Sequence, residues 1–325
     1  MKMLIAIVTA VAAIAIPFIL PGTFYIGIAT QILVYGLFAM SVNVLAGYGG
    51  MVSLGHAGFL GIAAYAYALL VSTYSFSPAS AVILTLIIGT VVAAVFGLIA
   101  LRTSGLSFLM ITLALGQIVW GVAFRYTDLT NGDNGINLSP DQALVVGPIG
   151  LYFMCLAVVA VSFGLIAILV RSPLGVAMRG VRDQPRRMNT LGFNTWALRY
   201  LTYVLSGLCA TVAGILYVQV FRFISPHALS LAVSSEAVLM VIAGGIGTLF
   251  GPLLGAGLVV LLKNVASAYT DRWPTLLGCI FLFIILAMPD GLLPGARRLL
   301  SKLSKMLNMG ARSPSRLAEA QRGNG

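Results

Sequence analysis

The chain has 325 residues, of which 60% are hydrophobic and only 8% are charged. Soluble domains carry charge on about a quarter of their residues, and a soluble fold of this length could not bury so much apolar surface. The composition therefore excludes a soluble enzyme, a disordered protein and a secreted disulfide scaffold. It predicts an all-α polytopic membrane protein, because no part of the chain alternates apolar and polar residues as membrane β-barrels do.

Ten apolar segments follow one another along the chain, and most are about long enough to cross a bilayer. Some are short or interrupted, so the number of transmembrane segments is about ten. The first could be the apolar core of a cleaved signal peptide, but we favour a retained span because the apolar run continues beyond it. The segments cover residues 3–20, 24–46, 57–72, 80–101, 104–123, 149–170, 200–219, 233–247, 250–268 and 274–288.

The charged residues, 19 basic and 8 acidic, give a formal net charge of +11. Lys and Arg concentrate in residues 171–199 and in the tail 291–325, and the positive-inside rule places both in the cytoplasm. The loop 124–148 carries more acidic than basic residues and is expected outside. Ten spans then put both termini in the cytoplasm, with a transmembrane domain over 1–290 and a partly disordered basic tail. The basic residues therefore indicate topology and not nucleic-acid binding.

Glycines recur at two places in the last third of the chain. Gly247, Gly251 and Gly255 stand at every fourth position, which on one helix would form a smooth stripe for close helix packing. The pair Gly244 and Gly245 breaks the long apolar run that contains it. Such a break is either a plain turn between two helices or part of a substrate path, and the sequence leaves both interpretations open.

A few polar side chains lie within or beside the apolar segments. Glu236 is the only acidic one, and an acidic residue at membrane depth is a candidate for function. Its place near the start of a segment also allows a structural role at the outer interface, to which Lys263 could extend. Together with the glycines at breaks, these side chains give the substrate-path candidates Gln31, Asn43, Ser53, Gly55, His56, Glu236, Gly244 and Gly245.

The side chains that usually carry catalysis or bind metals are sparse. The two histidines, His56 and His227, are expected in loops, and the three cysteines lie in apolar segments without metal-ligand spacing. The chain also has no glycine-rich phosphate loop of the Walker type. We therefore expect no catalytic residue, no metal site and no cofactor bound by this chain itself.

The segment 171–199 combines basic residues with signals for the start and end of a helix. Asp183 is expected to cap a short helix with Pro185 in its first turn, and Gly192 is expected to end it. A basic helix of this kind either lies on anionic lipid or binds a cytoplasmic partner. The segment by itself favours neither interpretation.

Several motifs together resemble those of one transporter family. They are Gly47-Tyr-Gly-Gly, the run Ser53-Leu-Gly-His-Ala-Gly-Phe59, Thr112-Leu-Ala, Thr130-Asn-Gly-Asp-Asn-Gly135, Ser225-Pro, Glu236 and the glycine-rich stretch 244–256. With this combination, over about residues 40–268, the chain resembles the ABC-importer permeases of the branched-chain amino acid transport family (LivM-like). It departs from the usual pattern at Ala63, Asn131, Pro185 and Met188. The changes at Pro185 and Met188 bear on which ATPase would be accepted.

The resemblance implies a permease subunit of an ATP-driven uptake system in the bacterial inner membrane, not an enzyme. The implied partners are cytoplasmic ATP-binding subunits, a second homologous permease and an extracytoplasmic solute-binding protein. It also implies a coupling helix within 179–199, where Arg182, Leu191, Gly192 and Arg199 match the family pattern. With the other arginines of the segment, the predicted coupling residues are Arg179, Arg182, Arg186, Arg187, Leu191, Gly192 and Arg199. The alternative is a self-sufficient secondary transporter or channel, which would need ion-binding groups at mid-membrane.

Overall fold

The computed structural model describes residues 17, 22–269, 273–287, 291–292 and 295. Its main helices are α1 (Thr23–Asn43), which continues into a π-helical turn (Val44–Tyr48), α2 (His56–Ser72), α3 (Pro78–Ala100), α4 (Leu106–Arg125), α5 (Thr127–Thr130), α6 (Pro148–Arg171), α7 (Pro173–Asp183), α8 (Pro185–Thr190), α9 (Thr195–Phe221), α10 (Leu231–Gly244), α11 (Gly251–Tyr269) and α12 (Trp273–Ala287). Two short strands, β1 (Ile136–Asn137) and β2 (Phe223–Ile224), form an antiparallel pair.

The helical membrane architecture predicted from the composition is confirmed. Nine of the ten apolar segments coincide with helices, whereas the first segment, 3–20, lies outside the described residues except for residue 17, as does nearly all of the tail 291–325. Within the described part, six helices are long and apolar enough to cross a membrane: α1, α3, α4, α6, α9 and α11. Two further apolar helices, α2 and α10, have only 17 and 14 residues. The number of about ten spans stays a prediction.

Helices α1 and α9 form the centre of the bundle. Of the most apolar stretch of each helix, 72% is buried in α1 and 56% in α9, against 22% in α3, α4 and α6. Helix α9 packs against α1, α2 and α3, and α1 packs in addition against α6 and α11. Because lipid is as apolar as a leucine side chain, close packing must hold these helices together. A Cβ added at Gly207 would overlap Ala93, and one added at Gly214 would overlap the carbonyl of Leu60.

Helix α3 shows how the small residues are placed. Its buried face consists of small residues at every fourth position, namely Ala81, Thr85, Gly89, Ala93 and Gly97. Its exposed face carries large apolar residues with the same spacing, namely Ile83, Ile87, Val91 and Val95. This distribution suits a helix that faces lipid on one side and approaches α9 closely on the other.

The loop predicted to lie outside is held against the helices that flank it. Strand β1 of this loop pairs with β2, which follows α9 directly, with Ile136 opposite Ile224. The hydroxyl of Tyr67 in α2 donates to the carbonyl of Gln142 at 3.1 Å. The amide N–H of Leu144 donates to the side chain of Gln219 in α9 at 3.0 Å. The sequence did not predict this pairing, since each strand has only two residues.

Helices α10 and α11 form a hairpin in which backbone lies against backbone. A Cβ added at Gly255 would overlap the carbonyl of Met240, and one added at Gly244 would overlap the carbonyl of Gly251. The predicted three-glycine stripe is wrong for Gly247, which lies in the turn before α11 with a φ of +76°. The chain has to reverse there, so the helix begins only at Gly251.

We expect Gly255→Ala to destabilise the protein by about 1–3 kcal/mol, the usual cost of inserting a methyl group into a packed core. The added Cβ would meet the Met240 carbonyl and push α10 and α11 apart. The midpoint of thermal unfolding in detergent should fall. Gly164→Ala is the matched control, because no atom lies within 4 Å of a Cβ added there. Equal midpoints for the two variants would contradict the close packing of the hairpin.

Candidate functional site

Two interruptions of the helical structure lie against each other, and we call residues 43–50 and 244–251 together the glycine junction. The first interruption follows α1, where the chain leaves the π-helical turn and runs without helix to Gly55. The second is the turn between α10 and α11. A Cβ added at Gly47 would lie only 2.6 Å from the backbone nitrogen of Gly247. Only glycine at position 47 allows this approach of the two chains.

Asn43 joins the two halves of the glycine junction through its side-chain amide. Its Nδ2 donates to the carbonyl of Thr248 at 2.9 Å, and its Oδ1 accepts from the N–H of Gly247 at 2.8 Å. The hydroxyl of Thr248 donates to the carbonyl of Gly245 at 2.7 Å within the same turn. Backbone groups freed by a broken helix at membrane depth need such internal partners. Of the predicted path residues, Asn43, Gly244 and Gly245 meet here, while contact with substrate stays a prediction.

Arg182, near the end of α7, reaches the glycine junction from the side expected to be cytoplasmic. Its guanidinium donates one hydrogen bond to the carbonyl of Gly47 and another, from Nε, to Asp183 at 2.7 Å. The second bond holds the pKa of Asp183 below its ordinary value. A Cβ added at Gly50 would overlap the aliphatic part of Arg182. Arg182, predicted to face the ATPase, therefore contacts its own membrane helices.

The sequence predicts one short helix capped by Asp183, whereas the structure has two helices that meet at this point. Asp183 is the last residue of α7, and Gln184 occupies the cap position of α8, so the predicted cap is wrong. Pro185 stands in the first turn of α8, as its fixed φ requires. Gly192, with a φ of +85°, follows the end of α8 as predicted.

The segment around α8 forms an exposed corner of apolar and basic side chains. Leu191 is 65% exposed, and Phe193 and Trp196 are each 46% exposed. Arg179 and Arg199 are half-buried, whereas the other predicted coupling residues, Arg182 included, are exposed. We call the following set the α8 corner: Arg186, Arg187, Leu191, Gly192, Phe193 and Trp196. Neither aromatic residue is among the coupling residues predicted from the sequence, although their place beside a helix-ending glycine is a signal that the sequence offers.

A chain of buried polar groups crosses the centre of the bundle at the start of α2. His56 Nε2 lies 2.7 Å from Ser206 Oγ, and that hydroxyl donates to the carbonyl of Ser41 at 2.6 Å. Ser206 therefore accepts the hydrogen bond from His56. The hydroxyl of Ser234 accepts from the N–H of Ala57 at 3.0 Å, which brings α10 to the same point. The polar chain thus connects α1, α2, α9 and α10.

The prediction that His56 lies in a loop is wrong. His56 is the first residue of α2 and is fully buried, with its other ring nitrogen lacking a partner among the described residues. Gly55 explains the position, because a Cβ there would overlap the carbonyl of Thr112 in α4. The glycine lets the chain pass close to α4 and begin a helix inside the bundle. Ser53 supports this turn by accepting from the N–H of Gly55 at 3.3 Å.

Glu236 is paired with a basic residue of the neighbouring helix. Its carboxylate lies 3.6 Å from the ammonium group of Lys263 in α11, and the Glu236 side chain is 17% exposed. Tyr35 of α1 and Tyr217 of α9 also lie close enough to this carboxylate for its charge to act on their hydroxyl groups. Gln31 lies one helical turn before Tyr35 on α1. Pairing with a basic residue lowers the cost of a charge among apolar helices.

Each end of α4 lines a cavity that adjoins residues described above. The outer cavity, of about 420 Å³, lies between the end of α4, the 130–135 loop and the start of α10, and its lining includes Gln117, Trp120, Phe124, Asp133, His227 and Ser230. The rings of Trp120 and Phe124 are stacked 5.3 Å apart. The inner cavity, of about 370 Å³, lies between residues 49–52 and 101–109 and is bounded by Arg182 and Arg199. Among the described residues, no group of three His, Cys, Asp or Glu side chains could hold a metal ion.

We expect Ser206→Ala to destabilise the protein by about 1–3 kcal/mol, because it leaves the buried His56 Nε2 without its partner. Unfolding by sodium dodecyl sulfate, followed by circular dichroism, should occur at lower detergent concentration. Ser235→Ala is the control, since that hydroxyl donates to the Ala232 carbonyl of its own helix at 2.8 Å. If both variants unfold like the unchanged protein, the polar chain contributes nothing to stability.

Residues 24–288 match the family described as the permease component of branched-chain amino acid transport systems. The high-affinity branched-chain amino acid transport system permease protein LivM of Salmonella typhimurium is 28% identical over 88% of this chain and 74% of that protein. LivM of Escherichia coli gives the same figures. The Escherichia coli galactofuranose transporter permease protein YtfT is 34% identical over 30% of this chain and 27% of its own length. No solved structure matches. The match over most of the chain shows that it belongs to the permease family of branched-chain amino acid transport systems.

Proposed function

We propose that this permease is the transmembrane subunit of an ATP-driven uptake system in a bacterial inner membrane, and that it carries a branched-chain amino acid or a related small solute. The observation that carries the proposal is the α8 corner. Large apolar side chains on an exposed surface, with basic residues beside them, are typical of a protein interface. The LivM relatives, which are permeases of branched-chain amino acid transport systems, support the class of solute.

The α8 corner is the proposed binding surface for a cytoplasmic ATP-binding subunit. Leu191, Phe193 and Trp196 offer apolar anchors, and Arg186 and Arg187 offer charge to an acidic rim. ATP is bound by that subunit, so this chain needs no cofactor and performs no covalent chemistry. Closure of the ATP-binding subunits would displace α8, and α7 would transmit the displacement to the membrane helices.

The outer face is the proposed site of solute delivery. The loop 124–148, which β1 holds against the end of α9, would receive a soluble binding protein, with both chain termini on the opposite, cytoplasmic side. A second homologous permease would complete the path. The outer cavity has polar groups at Gln117 and Asp133 and an aromatic wall at Trp120 and Phe124, which suits a small solute with one apolar end.

The test of the docking proposal is co-purification from the native membrane in mild detergent, followed by mass spectrometry. We expect an ATP-binding protein and a second permease to accompany the unchanged chain. Leu191→Asp should greatly reduce recovery of the ATP-binding protein, because it places a charge in an apolar contact. Val146→Asp, at a position 72% exposed in the outer loop, should not. Recovery of the unchanged chain alone would support the alternative, a self-sufficient transporter or channel.

We expect Glu236→Gln to lower the initial rate of leucine uptake severalfold if the carboxylate acts on the substrate path. The substitution keeps the shape of the side chain and removes the charge that faces Lys263. Uptake is measured in cells at equal amounts of variant in the membrane. Ser235→Ala, one residue earlier on α10, is the control. Unchanged uptake by the Glu236 variant would leave that residue a structural role only.

A further inference from the structure

We propose that Arg182 is a positioning residue that couples α7 to the glycine junction, and that it does not bind the ATP-binding subunit. This inference rests on the proposed function, in which displacement of α8 drives transport. It assigns a different role to one of the basic residues that the sequence groups together.

Helix α7 is attached to the membrane helices along one face. Its buried side chains, Ala177, Met178 and Val181, recur at helical spacing and turn into the protein. The helix packs against α6, α9 and the π-helical turn that follows α1. Helix α8 follows it after the single residue Gln184. A force on α8 therefore reaches α7 directly, and α7 transmits it to whatever its own side chains hold.

Arg182 holds the carbonyl of Gly47, which belongs to the π-helical turn. Its aliphatic stem covers Gly50, where it occupies the place that a Cβ would take, and the φ of +69° there is one that other residues rarely adopt. A guanidinium on a backbone carbonyl forms a charge-assisted hydrogen bond, which is stronger than a bond between neutral groups. Arg182 is thus the link between the end of α7 and the end of α1.

The same guanidinium lies close to the second interruption. Its terminal nitrogen would be 3.8 Å from a Cβ built at Gly247, in the turn between α10 and α11. Asn43 ties that turn to α1 through hydrogen bonds to Gly247 and Thr248. Both interruptions are therefore within one contact of Arg182. A small movement of α7 would act on the ends of α1, α10 and α11 together.

Arg186 provides the contrast within the same basic segment. It lies on α8 and is exposed, and the structure records no hydrogen bond or ion pair from its side chain to the rest of the described chain. Arg182, by comparison, has one bond to Gly47 and one to Asp183. The two arginines therefore serve different purposes: Arg186 is available to a partner, whereas Arg182 is engaged within this chain.

The first test compares Arg182→Met with Arg186→Met in the assembled transporter, reconstituted in liposomes with its binding protein. Methionine keeps an aliphatic stem over Gly50 and removes the donors. We expect the Arg182 variant to retain the ATP-binding subunit on co-purification, while leucine transported per ATP hydrolysed falls about tenfold, the effect of losing one charged hydrogen bond. Arg182→Lys should restore part of the ratio. Loss of the ATP-binding subunit from the Arg182 variant, or an unchanged ratio, would overturn the proposal.

The second test needs no ATP-binding subunit and uses the purified chain in detergent. The native cysteines Cys155, Cys209 and Cys279 are replaced by alanine, and Met51→Cys serves as a reporter beside Arg182 in the inner cavity. We expect Arg182→Met to increase the rate of maleimide labelling severalfold, because the glycine junction loosens, and Arg186→Met to leave it unchanged. Equal rates would overturn the positioning role. If the Arg182 variant is labelled faster but no ATP-binding subunit co-purifies with the unchanged chain, the positioning role stands and only the proposed function is refuted.

Discussion

The requirement that backbone N–H and C=O groups at membrane depth find partners inside the protein governs the whole arrangement. Unbroken helices meet it by themselves. Where α1 gives way to a π-helical turn and α10 to a turn before α11, the freed groups depend on a few side chains. Asn43 and Thr248 serve the α10–α11 turn, and Arg182 serves the carbonyl of Gly47. The first interruption thus supports the second through Asn43, and α7 supports the first through Arg182.

The arrangement also requires small residues where helices meet, and this requirement follows from the need to pair backbone groups inside the protein. Side chains can reach across to a neighbouring turn only if the two backbones approach closely, which glycine permits at Gly47 and Gly255. Since lipid competes equally well for apolar side chains, close backbone contact also supplies the attraction that a soluble core obtains from burial. Helix α3 illustrates the result, with small residues turned inward and large apolar residues turned outward. Close helix packing and the hydrogen bonding of freed backbone groups thus require glycine at the same positions.

The sequence predicted the helices well and the site poorly, for a physical reason. Hydropathy is a local property, so nine apolar segments matched helices to within a few residues. The partners of a polar side chain are set by tertiary contacts. Asn43 bonds Thr248, 205 positions away, and nothing in the local sequence indicates that contact. His56 was placed in a loop and Gly247 on a helix because each depends on a neighbouring segment for its conformation. The hydrogen bond from Arg182 to Gly47 was not predicted, because a basic segment has the sequence pattern of a surface helix.

A transporter that takes its energy from a partner needs internal contacts that stabilise one conformation. The same contacts must break and re-form at a modest cost in free energy. A charged pair buried at both interruptions would be too costly to separate in apolar surroundings. Hydrogen bonds from Asn43 to backbone, together with those of one arginine that remains partly exposed, can be exchanged for water or for other backbone groups. The near absence of charged side chains along the helices is thus consistent with movement. In the proposed function the force would enter at α8, whose exposed residues could bind a partner without disturbing the polar contacts of the bundle.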